Sequence, residues 1–569
     1  MTPKVETPLR RAASVHSLAM NCAPGAPQHT SLDGSSRKPD AASRAVPWRG
    51  SARGSFLTLL LVLLLASAAL WIRLDGLQGW DGTLTVDESR LAMAARGVLE
   101  TGLPRLPSGW VYTRGLLATY LTAPAFAVLG ETDFAARLPA VIAGTALIPL
   151  AYLLGREVAG RLGGLFVAAM FVGHPSFVVW SRAAWFYALF VALFAAALLC
   201  IVRAQRTGHW RDQLLAGLFV GLSAYAHEVG VFLLLPLAVQ VAQKLWTFRA
   251  DRSRWWAPIG SLVIVGVATV VLWLLVTRLR AESLVGAYGE IEEYLSPAVE
   301  WPRIRFYLRM LLDGPGLLLA GALAGLAFAV RGRQASTLLL WLALLPAFIH
   351  AAFLIPRGPQ ERYGLTMVLV IVVLGAQGAR QLVTWAYDLT YSQLLRRNPR
   401  IGKIVIPATT VVAMVLAGML AAHQDVRRAV DRAALSPREG SWLRQARALG
   451  IGPESVVMTD IPTVVGWYIG GLDYWVSSQE YEKYTTRTDD LRRDVHTGAV
   501  LVRSRGEFER LVTRPLAGQQ VWVIVSGRNY QWGELVDDDL KALIDRIAAQ
   551  RVNPGDNSRI LLVNLPSGS

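Results

Sequence analysis

Two cysteines in 569 residues exclude a disulfide framework: Cys22 lies in the N-terminal tail and Cys200 inside an apolar run. That scarcity leaves the compartment open. Charge is scarce too. Only 17% of residues are charged against 53% hydrophobic, with a mean hydropathy of +0.37, which is too apolar for a soluble chain. No internal repeat is visible. The polar C-terminal part has neither a GxGxxG nor a P-loop to suggest nucleotide binding. No small-residue cleavage pattern follows the first apolar run, and the stretch of residues 1–54 before it is too long for the n-region of a signal peptide. Rich in Ser, Ala, Pro and Arg, that stretch reads as a disordered cytoplasmic tail, with Met20 an equal candidate for the start.

Acidic residues are outnumbered, 41 to 57, for a net charge of +16. In isolation such an excess suggests nucleic acid. In a membrane protein it accumulates in cytoplasmic loops for reasons of orientation, so no nucleic-acid partner is expected. Apolar runs are what the chain has in abundance, and a helix needs about 20 apolar residues to cross a hydrocarbon core of roughly 30 Å. Eleven are predicted to span: Phe56 to Leu74, Leu138 to Leu154, Leu162 to Trp180, Ala183 to Val202, Trp210 to Tyr225, Val229 to Leu245, Ala257 to Thr277, Leu311 to Val330, Ala335 to Leu354, Gly364 to Leu382 and Ile404 to Ala422. The run from Gly115 to Leu129 is short and contains Pro124. It is assigned to the interface, because counting it as a span breaks the positive-inside rule in several loops at once.

With that assignment every inside loop is basic, carrying Arg156 and Arg161, Arg203 to Arg211, Lys244 to Arg254, Arg331 and Arg333, and Arg396 to Lys403. The outer loop from Arg278 to Met310 instead mixes five glutamates with five arginines. The 19 tryptophans fall mostly near span ends, as interface anchors do. Three parts result: the tail 1–54, a transmembrane domain 55–425 whose outer loop is 75–137, and a soluble extracytoplasmic α/β domain 426–569. In the last part, strands are predicted at Ser455 to Thr459, Ala499 to Arg503, Val521 to Val525 and Ile560 to Leu565. Helices are predicted near Val464 to Ile469, Glu507 to Val512 and Glu534 to Ala549.

Ionisable groups recur at the outer ends of the spans: Asp87 and Glu88, Arg114, Arg182, His227 and Glu228, and Arg357, Glu361 and Arg362. Charges near a bilayer are costly unless paired or facing water, so their gathering on one side marks a polar cavity.

The motifs Thr85-Val-Asp-Glu-Ser-Arg, Ala94-Ala-Arg-Gly and Tyr112-Thr-Arg-Gly-Leu-Leu, then Ala136-Arg-Leu-Pro, Ser181-Arg and Glu361-Arg-Tyr, stand in an order and topology that resembles GT-C glycosyltransferases. These are the superfamily of protein O-mannosyltransferases and lipid A aminoarabinose transferases. The resemblance covers about residues 56 to 425, and Asp494-Val-His-Thr-Gly loosely resembles soluble domains of bacterial members. It implies an inverting transfer of a hexosyl or pentosyl unit from a polyprenyl-phosphate carrier to a lipid, glycan or protein acceptor at the extracytoplasmic face of a bacterial plasma membrane. It further implies Asp87 as the catalytic carboxylate of the acidic pair with Glu88.

The chemistry agrees, since a hydroxyl attacking an anomeric carbon must shed a proton and a carboxylate within reach can take it. The competing reading makes Asp87 only the N-cap of a helix beginning at Ser89. A leaving lipid phosphate needs fixed cations, for which the arginine fork is suited. Arg362 comes first, with Arg114, Arg182 and Tyr363 beside it, although the family often has Lys near the position of Arg114. His227 and Glu228, with Arg357 and Glu361, line the cavity. No cofactor is demanded. A divalent cation shared by His227, Glu228 and Asp87 is one option.

Two other classes compete. A secondary transporter predicts repeats and ionisable groups at the bilayer midplane, whereas here the charges lie at one surface. A non-catalytic membrane assembly protein would not need the acidic pair. The topology predicts that a cysteine placed beside Trp255 is shielded from an impermeant reagent on intact cells. Labelling there would overturn the orientation.

Overall fold

A computed structural model of the protein describes residues 52–75, 77, 84–283, 300–313, 316–332, 334–354, 360–391, 440–478, 484–488, 490–525, 536–554 and 558–566. The first part is helical: α1 (Ala52–Leu74), α2 (Val86–Thr101), α3 (Leu116–Leu129), α4 (Asp133–Val172), α5 (Pro175–Arg182), α6 (Tyr187–Thr207) and α7 (Trp210–Ala226). There follow α8 (Leu234–Thr247), α9 (Trp256–Ala281), α10 (Trp301–Asp313), α11 (Gly316–Arg331), α12 (Ala335–Ile349) and α13 (Leu365–Tyr391). The protein is a multi-pass membrane protein. Among the described residues, seven helices are long and apolar enough to cross a bilayer.

The expected count of eleven is therefore not confirmed. The run at 138–154 lies in the part of α4 before Gly160, whose φ of 78° breaks helical geometry, and the run at 162–180 covers the part after it and most of α5. The runs inside α7 and α11 form helices of 17 and 16 residues, shorter than a full crossing, and Ile404 to Ala422 lies outside the described residues. The run from Gly115 forms α3, 14 residues long, with Pro124 inside it. Helix α6 is buried along most of its length, whereas α1 and α9 expose theirs. Helices α11 and α13 meet through Gly321, Gly325, Gly375 and Gly378. The absence of side chains there lets the backbones touch, the device by which small residues join helices in lipid.

The C-terminal part is built on a mixed sheet of eight strands in the order β3-β4-β5-β2-β1-β6-β8-β7. The strands are β1 (Val457–Thr459), β2 (Tyr474–Val476), β3 (Thr485–Thr488), β4 (Leu491–Asp494), β5 (Val500–Val502), β6 (Gln520–Val525), β7 (Ala548–Val552) and β8 (Arg559–Asn564). The central strands β5, β2, β1 and β6 are parallel and the outer pairings antiparallel. All four predicted strands are present. The helix expected to run to Ala549 ends at Ile547, because Ala548 leaves helical geometry to begin β7.

Helix α2 carries the motif that matters most, and its start is set locally. Thr85 is the N-cap, with the Glu88 amide donating to its hydroxyl (3.4 Å) and the Thr85 amide donating to Glu88 Oε2 (2.9 Å), a reciprocal capping box. The helix thus begins at Val86, not Ser89, and Asp87 is not its cap. Glu88 Oε1 faces the other way, where it accepts from Arg137 Nε of α4 (3.1 Å) and from the Ala184 amide after α5 (2.7 Å). Both members of the Glu88–Arg137 pair are almost fully buried. One carboxylate therefore ties the start of α2 to two other elements. Removing one partner of such a pair strands a buried charge, at a cost of about 3–5 kcal/mol. Glu88→Ala is accordingly predicted to lower the melting temperature of the detergent-purified protein sharply, and Glu88→Gln, which keeps one acceptor oxygen, to lower it less. An unchanged melting temperature in Glu88→Ala would mean that the pair does not hold α2.

Candidate active site

Two positions beyond the cap, Asp87 turns away from that buried knot. Its Oδ2 accepts from Arg362 Nη1 at 3.0 Å and its Oδ1 lies 3.6 Å from Arg90 Nη1. Arg362 stands in the turn Glu361–Gly364 that leads into α13. Its guanidinium carbon is 5.6, 5.4 and 5.4 Å from the ring centroids of Trp180, Tyr187 and Tyr363, which makes an aromatic cage for a cation. The Nε of Arg362 is buried and has no hydrogen-bond partner among the described residues. It is a donor in want of an acceptor, beside a carboxylate already held.

Burial is the largest influence on Asp87 and pushes its pKa up. The positive charges of Arg90, Arg362 and Arg114 and the bond from Arg362 outweigh it, so the carboxyl stays below its ordinary value and is ionised at neutral pH. Arg114 itself lies half-buried just before α3. The chain turns there through Gly115, whose φ of +60° and packing against Phe186 leave no space for a side chain.

His227 lies between α7 and the short helix Glu228–Leu233 that leads into α8. The ring is buried among Phe186, Tyr187 and Phe190, at centroid distances of 5.0–5.3 Å. Its Nδ1 accepts from the Val229 amide (3.1 Å) and lies 3.4 Å from Glu228 Oε2, while the Glu228 side chain is half-exposed. Among the described residues no three His, Cys, Asp or Glu side chains are placed to hold a metal ion, so Asp87, His227 and Glu228 do not form the cation site considered from sequence.

Arg182 is buried at the end of α5 and donates to the Ile72 carbonyl of α1 (2.8 Å). Asp75 and Arg137, which also binds Glu88, are the charged groups near it. Tyr363 meets Tyr187 edge-on at 6.2 Å. Glu361 is part-buried near His174 at the α4–α5 corner. Arg357 lies outside the described residues. The structure thus brings together Asp87, Arg362, Tyr363 and Arg114, and shows that Glu88 and Arg182 bind protein groups. Sequence reasoning assigned no role to Arg90, Trp180 and Tyr187. Arg90 was legible, because three positions after Asp87 is the same face of a helix.

The C-terminal sheet roofs the loop that follows α2. Tyr468 accepts from the Leu84 amide (2.6 Å) and donates to Asp133 Oδ2 (2.7 Å). Trp467 stacks on Phe126 of α3 at 5.7 Å and lies under the guanidinium of Arg96. The Ser108 amide donates to the His496 carbonyl (3.2 Å), the Ser108 hydroxyl donates to the Val495 carbonyl, and Trp110 meets the His496 ring edge-on. The turn presenting those carbonyls is held by buried Asp494, which contacts His496 Nδ1 (3.2 Å) and accepts from the Thr497 amide (2.8 Å) and hydroxyl (2.6 Å).

Residues 113–273 match the family model described as dolichyl-phosphate-mannose-protein mannosyltransferase. Among curated proteins no significant match was found. Of the solved structures, ArnT from Cupriavidus metallidurans in the apo state is 15% identical, with a TM-score of 0.57, covering 91% of this chain and 100% of that one. The same ArnT bound to undecaprenyl phosphate superposes with a TM-score of 0.55 at 13% identity, with the same coverage of both chains. By that fold, and by the stretch matched to the mannosyltransferase model, the chain resembles the GT-C glycosyltransferases.

Proposed function

We propose that the protein is an inverting glycosyltransferase that moves a monosaccharide from a polyprenyl-phosphate carrier to a lipid, glycan or protein acceptor at the extracytoplasmic face of a bacterial plasma membrane. The observation that carries the proposal is the contact of Asp87 with Arg362 at 3.0 Å, a base and a phosphate ligand side by side. The family-model match and the fold shared with a structure solved with undecaprenyl phosphate support the donor class.

In the reaction, the acceptor oxygen forms a bond to the anomeric carbon while the bond from that carbon to the carrier phosphate breaks. The acceptor's proton passes to Asp87, and the electron pair leaves with the phosphate. Arg362 holds Asp87 through Nη1 and offers Nε to the departing oxygen, so base and leaving group sit on opposite sides of one guanidinium. One carboxylate opposite the leaving group fits single displacement with inversion, by the logic that separates inverting from retaining glycosidases. Arg114 adds positive charge as the phosphate leaves. Glu88 positions Asp87 through the start of α2, and His227, Glu228 and Glu361 line the polar wall.

Two outcomes follow for Arg362. Arg362→Ala weakens both carrier binding and turnover, and Arg362→Lys restores only part of each, since a point charge replaces a fork. The pH profile moves as well. A base with a depressed pKa keeps kcat/KM flat from neutral pH down to below about 4, the ordinary carboxylate range. Without Arg362 the effect of burial is less opposed, so the acid limb of Arg362→Ala shifts upward. Unchanged kinetics in both variants, or an acid limb that does not move, would remove Arg362 from the site.

A further inference from the structure

At the far end of the bundle from Arg362 lies a second polar pocket. It has a volume of about 590 Å³ and is bounded by the end of α11, the start of α12, the second half of α13 and the kinked part of α4. Helix α13 connects the two places. Arg362 precedes it and Arg380 lies on it, about 27 Å further along at helical rise. The lining includes two cations, Arg331 and Arg380, three glutamines, Gln334, Gln377 and Gln381, and the exposed ring of Trp385. Arg380 rests against Gly160, where the positive φ and the missing side chain give its guanidinium space.

The glutamines are wired in one direction. Gln377 is 4% exposed and donates to Gln334 Oε1 (3.0 Å) and Thr337 Oγ1 (2.5 Å). Gln381 donates to the same Gln334 oxygen (2.8 Å). The network spends its donors internally and leaves Gln377 Oε1 and Gln381 Oε1 buried with no partner among the described residues. Unsatisfied acceptors of that kind are expensive to keep. A ligand that fits must bring oxygens for the arginines and a hydrogen-bond donor for the glutamines. Exposed Leu323 and Val330 on α11 and Leu382 on α13 give it apolar surface on the same helices.

From this we infer a phospholipid-headgroup site, taking a phosphodiester that ends in a hydroxyl or ammonium group. The phosphate lies between Arg331 and Arg380, the terminal donor reaches Gln377 and Gln381, and the acyl chains run along α11 and α13. An ionised polyprenyl phosphate has the charge but lacks the donor. Free phosphate keeps a P–OH donor at neutral pH but lacks the chains. The site is thus distinct in chemistry, as well as in place, from the one around Arg362.

Native mass spectrometry of the full-length protein, delipidated in detergent, tests this with phosphatidylglycerol, undecaprenyl phosphate and inorganic phosphate as probes. The expected result is a single phosphatidylglycerol adduct whose affinity falls about tenfold or more in the Arg331→Gln/Arg380→Gln double variant. Gln377→Leu keeps both cations and should still weaken it severalfold. Reading Gln377→Leu separately keeps the test valid if the double variant does not fold. Equal phosphatidylglycerol retention by wild type and either variant overturns the proposal. So does inorganic phosphate competing at equal concentration, or undecaprenyl phosphate bound in preference with its affinity dependent on Arg331 and Arg380. Because the readout is binding at this pocket, loss of sugar transfer for other reasons leaves the result unaffected.

Discussion

A carboxylate and a guanidinium 275 positions apart in the chain meet at 3.0 Å, and the rest of the membrane domain is arranged around keeping them there. Neither group is cheap to hold near lipid. Asp87 stands at the beginning of a helix, where the macrodipole favours an anion, and three arginines add to that preference. Arg362 stays charged at all relevant pH and is enclosed by three aromatic rings that tolerate a cation but offer it no hydrogen bond. The result is an ionised base and a fork with a spare donor, both fixed before any substrate arrives. Such preorganisation is how charge developing in a transition state is stabilised most effectively.

Two supports keep the pair in register. From the membrane side, Glu88 pins the first turn of α2 to α4 and to the link between α5 and α6, so the Asp87 backbone cannot drift. From the other side, the C-terminal part meets Leu84 and Asp133 through Tyr468, α2 and α3 through Trp467, and the loop after α2 through the turn built on Asp494. The Asp494 carboxyl is buried, which alone would raise its pKa, but His496 and Thr497 overcome that and hold it ionised. Its cost is met because the turn presents two carbonyls to Ser108, which in turn sets Trp110 and the approach to Arg114. The C-terminal part also meets the site directly, because the Tyr484 ring lies 5.3 Å from the guanidinium carbon of Arg90, the arginine beside Asp87.

Much of this was legible in the sequence. Apolar runs located the membrane helices, and the recurrence of ionisable groups at one end of them pointed to Asp87, Arg114 and Arg362. The division of labour inside the acidic pair was not legible. Adjacent residues on a helix point about 100° apart, and only the structure shows that Glu88 meets Arg137 and Ala184 while Asp87 meets Arg362. Trp180 reads as an interface anchor and Tyr187 as filler in an apolar run, because the cation they enclose comes from a turn far away in sequence. Strands β3 (Thr-Thr-Arg-Thr) and β4 (Leu-Arg-Arg-Asp) carry too few apolar residues to be seen. The break at Gly160, which lies between two expected spans, shows in φ and not in composition.

The central claim is that Asp87 accepts the acceptor's proton. Single-turnover sugar transfer by Asp87→Asn tests it most directly, with a thermal melt and a carrier-binding measurement on the same preparation. Asparagine keeps the size of the side chain and an oxygen for Arg362, and Thr85 still caps the helix, so folding and carrier binding should be nearly unchanged. The account predicts a fall in the transfer rate of about 10² to 10⁴-fold, the usual worth of a general base. Wild-type transfer by a well-folded Asp87→Asn protein would contradict it.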